Sequence, residues 1–535
     1  MVVKKEQEPE FWPDKIAKEL VTKWNFVRKQ IIVTGTSMSG EPHIGSANDV
    51  IRGHAIMLAV KDLKRPAELV WISDDMDPFR SVPADLPKEL ENYLGIPACN
   101  IPDFWKCHKG FATHFEQKFL KQLESVYVKP TALLGNEMYR KGMYNSVMKL
   151  ALRKRKEIAG ILNKFRTTPL PENWYPVDII CKKCGKIATT KIFRYNEKTA
   201  IAEYLCNPDV ILLHRKNPVK GCGFKGKISI LNGNSKLTWR VEWAARWVFL
   251  KATCEPFGKE HAASGGSWDT AKEIVKVLGW QPPYPIVYEH FLVNGAKMSK
   301  SKGNVITVPD MLKYMFPEHL RYWMFQGKLT IAKDINLSQM VPHIFDEFDK
   351  AERIYFGSDS TGNKKKDNNY KRAYELAISG KKGRKLVLNA PYSAMVEIVK
   401  ILPEENQVEF AMKKLKDFGY IGKPSKTVRV EIEKRLPYLL AWTKDFVKVS
   451  EVRPTLEEEQ RFVIRELINV IKEEGDGEKL QARIFELVNK HSLDMKEFFK
   501  VVYQVLLNSD KGPRLGPYII ERGKEEVIAK LKAAL

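Results

Sequence analysis

The stretch Gln30-Ile-Ile-Val33, followed by Thr34-Gly-Thr-Ser-Met-Ser-Gly40, limits what this chain can fold into more than any other. A short apolar run that opens into a loop of small residues, with a helical pattern starting near Ile44, is half of a strand–helix–strand unit. The next strand is Glu68-Leu-Val-Trp-Ile-Ser73, which ends in the acidic group Asp74-Asp-Met-Asp77. In front of both, residues 14–28 read as an amphipathic helix. Strands alternating with helical stretches predict a parallel α/β sheet, and open sheets of this kind collect ligands at the carboxyl ends of their strands. Gly35, His43, Asp74, Asp77 and Lys300 all fall at or just beyond such ends.

The sheet resumes late, through Cys254-Glu-Pro-Phe257 and the apolar run Pro285–Val293, which reads as one buried strand. Directly after it comes Lys297-Met-Ser-Lys-Ser-Lys-Gly-Asn304. A lysine-rich string is most often a solvated loop, but a cationic, hydroxyl-bearing loop at a strand end also suits a polyphosphate. Its partner is Pro42-His-Ile-Gly45. A helix starting there offers unpaired N–H groups and a positive dipole end to a phosphate. His43 can hydrogen-bond a phosphate oxygen, and Gly45 lets an adenine or ribose approach the backbone.

With 535 residues the chain exceeds the size of a single core, and 44% hydrophobic residues are enough to fill several. Lys and Arg number 89 against 65 for Asp and Glu, a net +24 that favours a polyanionic partner, either nucleic acid or an anionic membrane surface. The amino-terminal stretch MVVKKEQEPEFWPDKIAKEL has no apolar signal core, and no uninterrupted apolar run is long enough for a membrane span. Seven cysteines, several at metal-ligand spacing, suit a reducing cytoplasm.

Two insertions separate the halves of the sheet. In the second, roughly residues 174–235, Cys181-Lys-Lys-Cys184-Gly is followed by Cys206 and Gly221-Cys222-Gly. This is the spacing of a zinc knuckle completed by two further thiolates, a closed structural site in which His214 could replace one of the later pair. The first insertion carries Asp103, Cys107, His108 and His114, polar loop residues whose donor types would also close a tetrahedral zinc site. Trp239, Trp243 and Trp247 recur at helical spacing, which reads as one packed helix face. Beyond about residue 330 the pattern is helical, over 338–356, 388–401, 407–418, 427–448, 455–474 and 477–490, while the lysine-rich 361–385 reads as a linker or exposed loop.

PHIG and KMSKS, in this order on a split sheet, resemble the two signatures of class I aminoacyl-tRNA synthetases. The KMSKS match is complete, whereas Ser46 stands where the first signature ends in histidine. The strings VTGTSMSGEPHIGS, SDDMDPFRSVP, WRVEWAARW and EPFGKEHAASGGSWDT, with Gly512-Pro-Arg-Leu-Gly-Pro517, are similar to the archaeal-type class I lysyl-tRNA synthetases. The resemblance implies a split Rossmann-type catalytic domain with zinc-binding insertions, followed by an all-α anticodon-binding domain. Its boundaries are expected at 1–100, 101–173, 174–235, 236–330, 331–360 and 361–535. It implies ATP bound by Pro42, His43, Gly45, Ser46, Lys297, Met298, Ser299, Lys300 and Ser301, with His43, Lys297 and Lys300 stabilising transition-state charge. Mg²⁺ would accompany the phosphates, and Gly35, Ser37, Trp239, His261 and Tyr288 would surround the amino acid. Asp74 is added to the substrate residues, to orient the α-ammonium or support a Mg²⁺-bound phosphate, a role preferred over the helix cap its cluster could also provide. The expected partners are tRNA(Lys), lysine and ATP, with no membrane. Lysine is preferred because aromatics and hydroxyls suit an ammonium, whereas a glutamate pocket calls for a buried arginine. The alternatives are a glutamyl-tRNA synthetase, a paralogue that joins an amino acid to a small amine, and a zinc-ribbon RNA-binding protein with an inactive nucleotide fold.

Overall fold

The computed structural model describes residues 11–213, 217–298, 304–380, 388–447, 456–507 and 512–535. They fall into two compact units, Met1–Met340 with Lys350–Arg384, and Val341–Asp349 with Lys385–Leu535.

The first unit is built on a parallel sheet of five strands. Strand β1 (Gln30–Thr36) lies at its centre, paired on one side with β2 (Ala67–Ser73), which in turn pairs with β3 (Thr131–Leu134). On the other side β1 pairs with Cys254–Gly258, and that strand pairs with Tyr284–Tyr288. Parallel strands covered on both faces are apolar without alternation, and β1 and β2 are buried along almost their whole length. Helix α1 (Trp12–Lys23) precedes β1, and helix α2 (Ile44–Asp62) connects β1 to β2. The chain therefore leaves β1 in one direction and returns much later on its other side. Such a reversal opens a crevice at the carboxyl end of the central strand.

The expected single strand Pro285–Val293 is divided. Tyr284–Tyr288 completes the main sheet, while Phe291–Val293 joins a separate three-stranded sheet with Ala296–Lys297 and Lys333–Ile335. The polar pair Glu289-His290 causes the break, the Glu289 N–H bonding the Leu329 carbonyl at 2.9 Å outside the main sheet.

The cysteine-bearing insertion is antiparallel, with one sheet of Thr190–Asn196, Ile201–Cys206 and Lys225–Ser229. The expected linker at 361–385 is largely a helix, Lys364–Ile378, capped by the Asn363 side chain. Its apolar contribution is confined to Ala373, Tyr374, Leu376 and Ala377 near its end, too short a run to show as a periodic stripe. It is held to the rest of the first unit by Arg321, which donates to the Ala377 and Leu376 carbonyls, and by Arg372, which pairs with Asp14 and Asp62. In the second unit the helices Tyr392–Lys400, Gln407–Asp417, Lys426–Phe446, Glu458–Glu473 and Gly477–Lys490 lie close to the periodic stretches read from the sequence. Three more follow, Met495–Leu507, Leu515–Arg522 and Lys524–Ala534. Among the described residues no helix is long and apolar enough to cross a membrane.

Candidate active site

A cleft of about 340 Å³ opens at the carboxyl ends of the central strands. Gly35 and Ser37 reach it from the end of β1, His43, Gly45 and Ser46 from the start of α2, and Asp74 from the end of β2. Trp239 and Trp243 enter from the helix Trp239–Leu250, His261 from beyond Cys254–Gly258, and Tyr288 from the last residue of its strand. Lys297 and Met298 complete the wall. Pro42 is buried and does not line the cleft. Ser299, Lys300 and Ser301 lie outside the described residues, as does His214.

His43 is the N-cap of α2, and its Nδ1 accepts the Ser46 N–H at 3.3 Å. The acceptor role of Nδ1 places the ring proton of a neutral imidazole on Nε2. Residue 46 thus contributes to the signature through its backbone. A β-carbon at Gly45 would stand 2.8 Å from both Cε1 and Nδ1 of His43, so only glycine lets the imidazole fold back over the helix start. The Ile44 N–H donates to the Ile306 carbonyl at 2.8 Å, tying the head of α2 to the chain just after the lysine-rich string. At the start of that string, the Lys297 ammonium lies 3.4 Å from Nε2 of His290.

Beneath the cleft is a buried charge network. Arg246 pairs with Asp74 and lies 3.4 Å from Glu242, one helical turn before it, while its guanidinium sits 5.2 Å from the centroid of the Trp239 ring. Lys236 pairs with Glu242 and with Asp77, the latter at 3.0 Å. Gly35 makes room for this pairing, since a β-carbon there would meet Arg246 Nη1 at 3.1 Å. Burial pushes the Asp74 carboxyl up to about 6 against the pull of Arg246. Burial opposes the charge of Lys236 as well, but the carboxylates of Asp77, Glu242 and Asp74 override it and hold the ammonium above its ordinary value. Asp75 turns the other way, accepting the Asn136 N–H at 2.7 Å. Asp74 and Asp77 thus serve as partners of buried cations, Asp75 satisfies a backbone N–H at the start of the helix Gly135–Arg140, and of the three only Asp74 lines the cleft.

The tryptophans divide as their burial dictates. Trp243 and Trp247 are buried, and both indole N–H groups donate to Glu255, at 2.7 Å from Trp243. Trp239 is half-buried and stacks on Trp243 with centroids 5.5 Å apart. His261 stands 5.4 Å from the Trp243 ring, and burial lowers its pKa, keeping the imidazole neutral.

Both groups of metal-ligand residues converge, each with its ligand atoms within 4.8 Å of one another. Cys181 Sγ is 3.7 Å from Cys222 Sγ, and Cys184 Sγ is 3.6 Å from Cys206 Sγ. Four thiolates around zinc at about 2.3 Å would be separated by about 3.8 Å, so the cysteine spacing fits the ion. In the first insertion, Cys107 Sγ is 3.0 Å from His108 Nδ1 and 3.3 Å from His114 Nδ1. Asp103 anchors the loop by accepting the N–H groups of Trp105, Cys107 and His108. This thiol, carboxylate and imidazole set also has the size of a tetrahedral zinc shell.

Several residues of the cleft escape a motif-based reading, notably Asn48, Asp49, Arg246, Glu255, Glu260 and His290. Arg246 carried one signal, a charge four residues after Glu242 in a mostly aromatic and apolar helix, and Asp49 another, one turn after Ser46.

The family of class I tRNA synthetases (K) matches residues 10–379. A lysine–tRNA ligase of Methanosphaera stadtmanae is 31% identical over 542 residues, covering 97% of this chain and 99% of the relative. That of Methanococcus maripaludis is 32% identical, with 97% and 99% covered. That of Archaeoglobus fulgidus is 32% identical over 537 residues, with 98% and 100% covered. Signature residues, a crevice at the sheet's point of reversal and this match lead to one statement: the chain belongs to the class I tRNA synthetases (K).

Proposed function

We propose that the protein is a lysine–tRNA ligase, which activates lysine with ATP and transfers it to the terminal ribose of tRNA(Lys). The observation that carries the reading is that His43, Gly45, Lys297 and Met298 share one cleft with Trp239, His261 and Tyr288. Two distant signatures are thereby placed against a single small-molecule pocket.

In the first step the lysine carboxylate attacks the α-phosphorus of ATP, and pyrophosphate leaves. The positive end of α2 and the Nε2–H of His43 face the charge that builds on the phosphoryl oxygens. Lys297, with Lys300 three residues on in the sequence, would neutralise the departing pyrophosphate, and Mg²⁺ would come bound to the triphosphate. In the second step the 2′-hydroxyl of the tRNA terminus attacks the adenylate carbonyl and AMP leaves. Positioning and electrostatics suffice for both steps, and no covalent enzyme intermediate is involved.

Lysine is favoured over glutamate by the state of the arginine in the cleft. Arg246 is a buried guanidinium of the kind a glutamate pocket needs, but Asp74 and Glu242 already occupy it. The remaining carboxylates make the cleft a host for a cation. Cys181, Cys184, Cys206 and Cys222 would hold one zinc ion, fastening an insertion with little core of its own, and Asp103, Cys107, His108 and His114 would hold a second. The helical second unit would bind the anticodon arm, and the setting would be the cytoplasm, where thiolate ligands stay reduced. The test is aminoacylation of total tRNA with each labelled amino acid in turn. Incorporation of lysine alone is expected, and incorporation of glutamate in its place would replace this reading.

A further inference from the structure

Asp49, Asp74, Glu255 and Glu260 are the carboxylates that line the cleft. Three of them have partners. Asp74 is paired with Arg246, Glu255 accepts the Trp243 and Trp247 indole N–H groups, and Glu260 lies 3.1 Å from Nε2 of His290. Asp49 differs. Its Oδ1 is closed off from solvent yet accepts no hydrogen bond among the described residues. The nearest cation along the helix, Arg52, makes no ion pair with it among these residues; its guanidinium lies 5.0 Å from the Tyr288 ring centroid. Asn48 also lines the cleft, and its buried Oδ1 is likewise without a donor.

Two buried acceptors on adjacent residues, both at the wall of one cleft, are costly unless a ligand brings the donors. Burial, followed by the charges of Glu260 and Glu255, pushes the Asp49 carboxyl well above its ordinary range. Its surroundings thus carry an excess of negative charge, which the nearby Arg52 offsets only in part. The complementary ligand group is a compact cation rich in donors. An ammonium has three N–H bonds and no acceptor, so it can serve Asp49 and Asn48 together. The position agrees with this. Asp49 lies on α2 one turn beyond Ser46 and two beyond His43, farther along the helix from its phosphate-facing start.

We propose that Asp49, assisted by the Asn48 carbonyl, receives the side-chain ammonium of the amino-acid substrate and is the residue that sets specificity for lysine. The inference rests on the lysine–tRNA ligase reading and assigns the selecting residue within it. Glutamate is rejected at the same place, since its carboxylate would lie against Asp49, Glu255 and Glu260.

The test uses the full-length protein with Asp49→Asn, Asp49→Glu and Asn48→Ala. The lysine KM, ATP KM and kcat are measured in tRNA aminoacylation. The inhibition constant of norleucine, which has lysine's chain without the terminal nitrogen, is measured alongside. Asp49→Asn is expected to raise the lysine KM about 100-fold through loss of a charge-assisted bond. It should leave the ATP KM within about threefold and norleucine inhibition unweakened, because neither engages the lost charge. Asp49→Glu should restore part of the lysine affinity, and Asn48→Ala should raise the lysine KM about tenfold while sparing norleucine. A parallel loss of norleucine and lysine binding would assign Asp49 to the α-ammonium and overturn the proposal. A change confined to the ATP KM, or an unchanged lysine KM, would overturn it as well. If Asp49→Asn melts below the assay temperature, Asn48→Ala decides by the same criterion. Failure of the wild-type protein to charge tRNA with lysine would refute the underlying reading instead.

Discussion

At the scale of single residues, the site depends on contacts with no room for a substituent. Gly45→Ala places a methyl group 2.8 Å from two atoms of the His43 ring, so the imidazole must swing away. Alanine is itself a better helix former than glycine, so the fold should hold. ATP–pyrophosphate exchange, measured with tRNA present, should fall about 100-fold with the melting temperature nearly unchanged. Arg246→Met strands Asp74 and Glu242 in the interior, and chemical denaturation should report a loss of about 3–5 kcal/mol. The loss should depend on pH. Burial sets the folded Asp74 value at about 6, above the unfolded value of about 3.9. Such a group contributes stability below the unfolded value and loses it as pH rises through the folded one. Removing the guanidinium moves the folded value higher still. The deficit of Arg246→Met relative to wild type should therefore be larger at pH 8 than at pH 5. His43 and Lys297 were legible in the sequence because a fixed string marks them. Asp49 and Arg246 were not, because what distinguishes them is burial and partnership across the fold.

At the scale of elements, legibility followed burial. The strands β1, β2 and Cys254–Gly258 are covered on both faces and read directly as apolar runs. Helices with a continuous apolar stripe were equally plain, and Gly477–Lys490 begins and ends where its periodicity does. Lys364–Ile378 was hidden because its buried residues are gathered in its last turns behind a lysine-rich start. The strand division at Glu289-His290 was hidden because two polar residues can cap a strand end as readily as split a run. The insertions make a separable prediction. The purified protein should contain two zinc ions, Cys181→Ser should lose one and His108→Ala the other, as counted by mass spectrometry of the metal content. Chelation should also expose the 174–235 insertion to protease before the parallel sheet unfolds. Retention of full zinc by His108→Ala would remove the second site.

At the scale of the whole molecule, the net charge of +24 is the dominant property. If that charge serves tRNA, binding should weaken by roughly 100- to 1000-fold between 50 and 200 mM salt as counterions return to the phosphates. The KM for lysine should barely move over the same range, since its partner groups are enclosed and poorly screened. Filter binding and aminoacylation at a series of salt concentrations separate the two.

The return of the chain to the far side of β1 sets a timetable for synthesis. Residues 30–36 leave the ribosome long before residues 254–258, and until these arrive β1 is an open sheet edge. At about 5–20 residues per second the interval is roughly 10–45 seconds. An apolar strand with unpaired N–H and C=O groups invites pairing with other chains throughout that time. Fragments ending near residue 250 should accordingly aggregate or be retained by chaperones, whereas fragments that include residue 306 should be released. The Ile44–Ile306 bond can form only then, so the nucleotide site is among the last parts of its unit to be assembled.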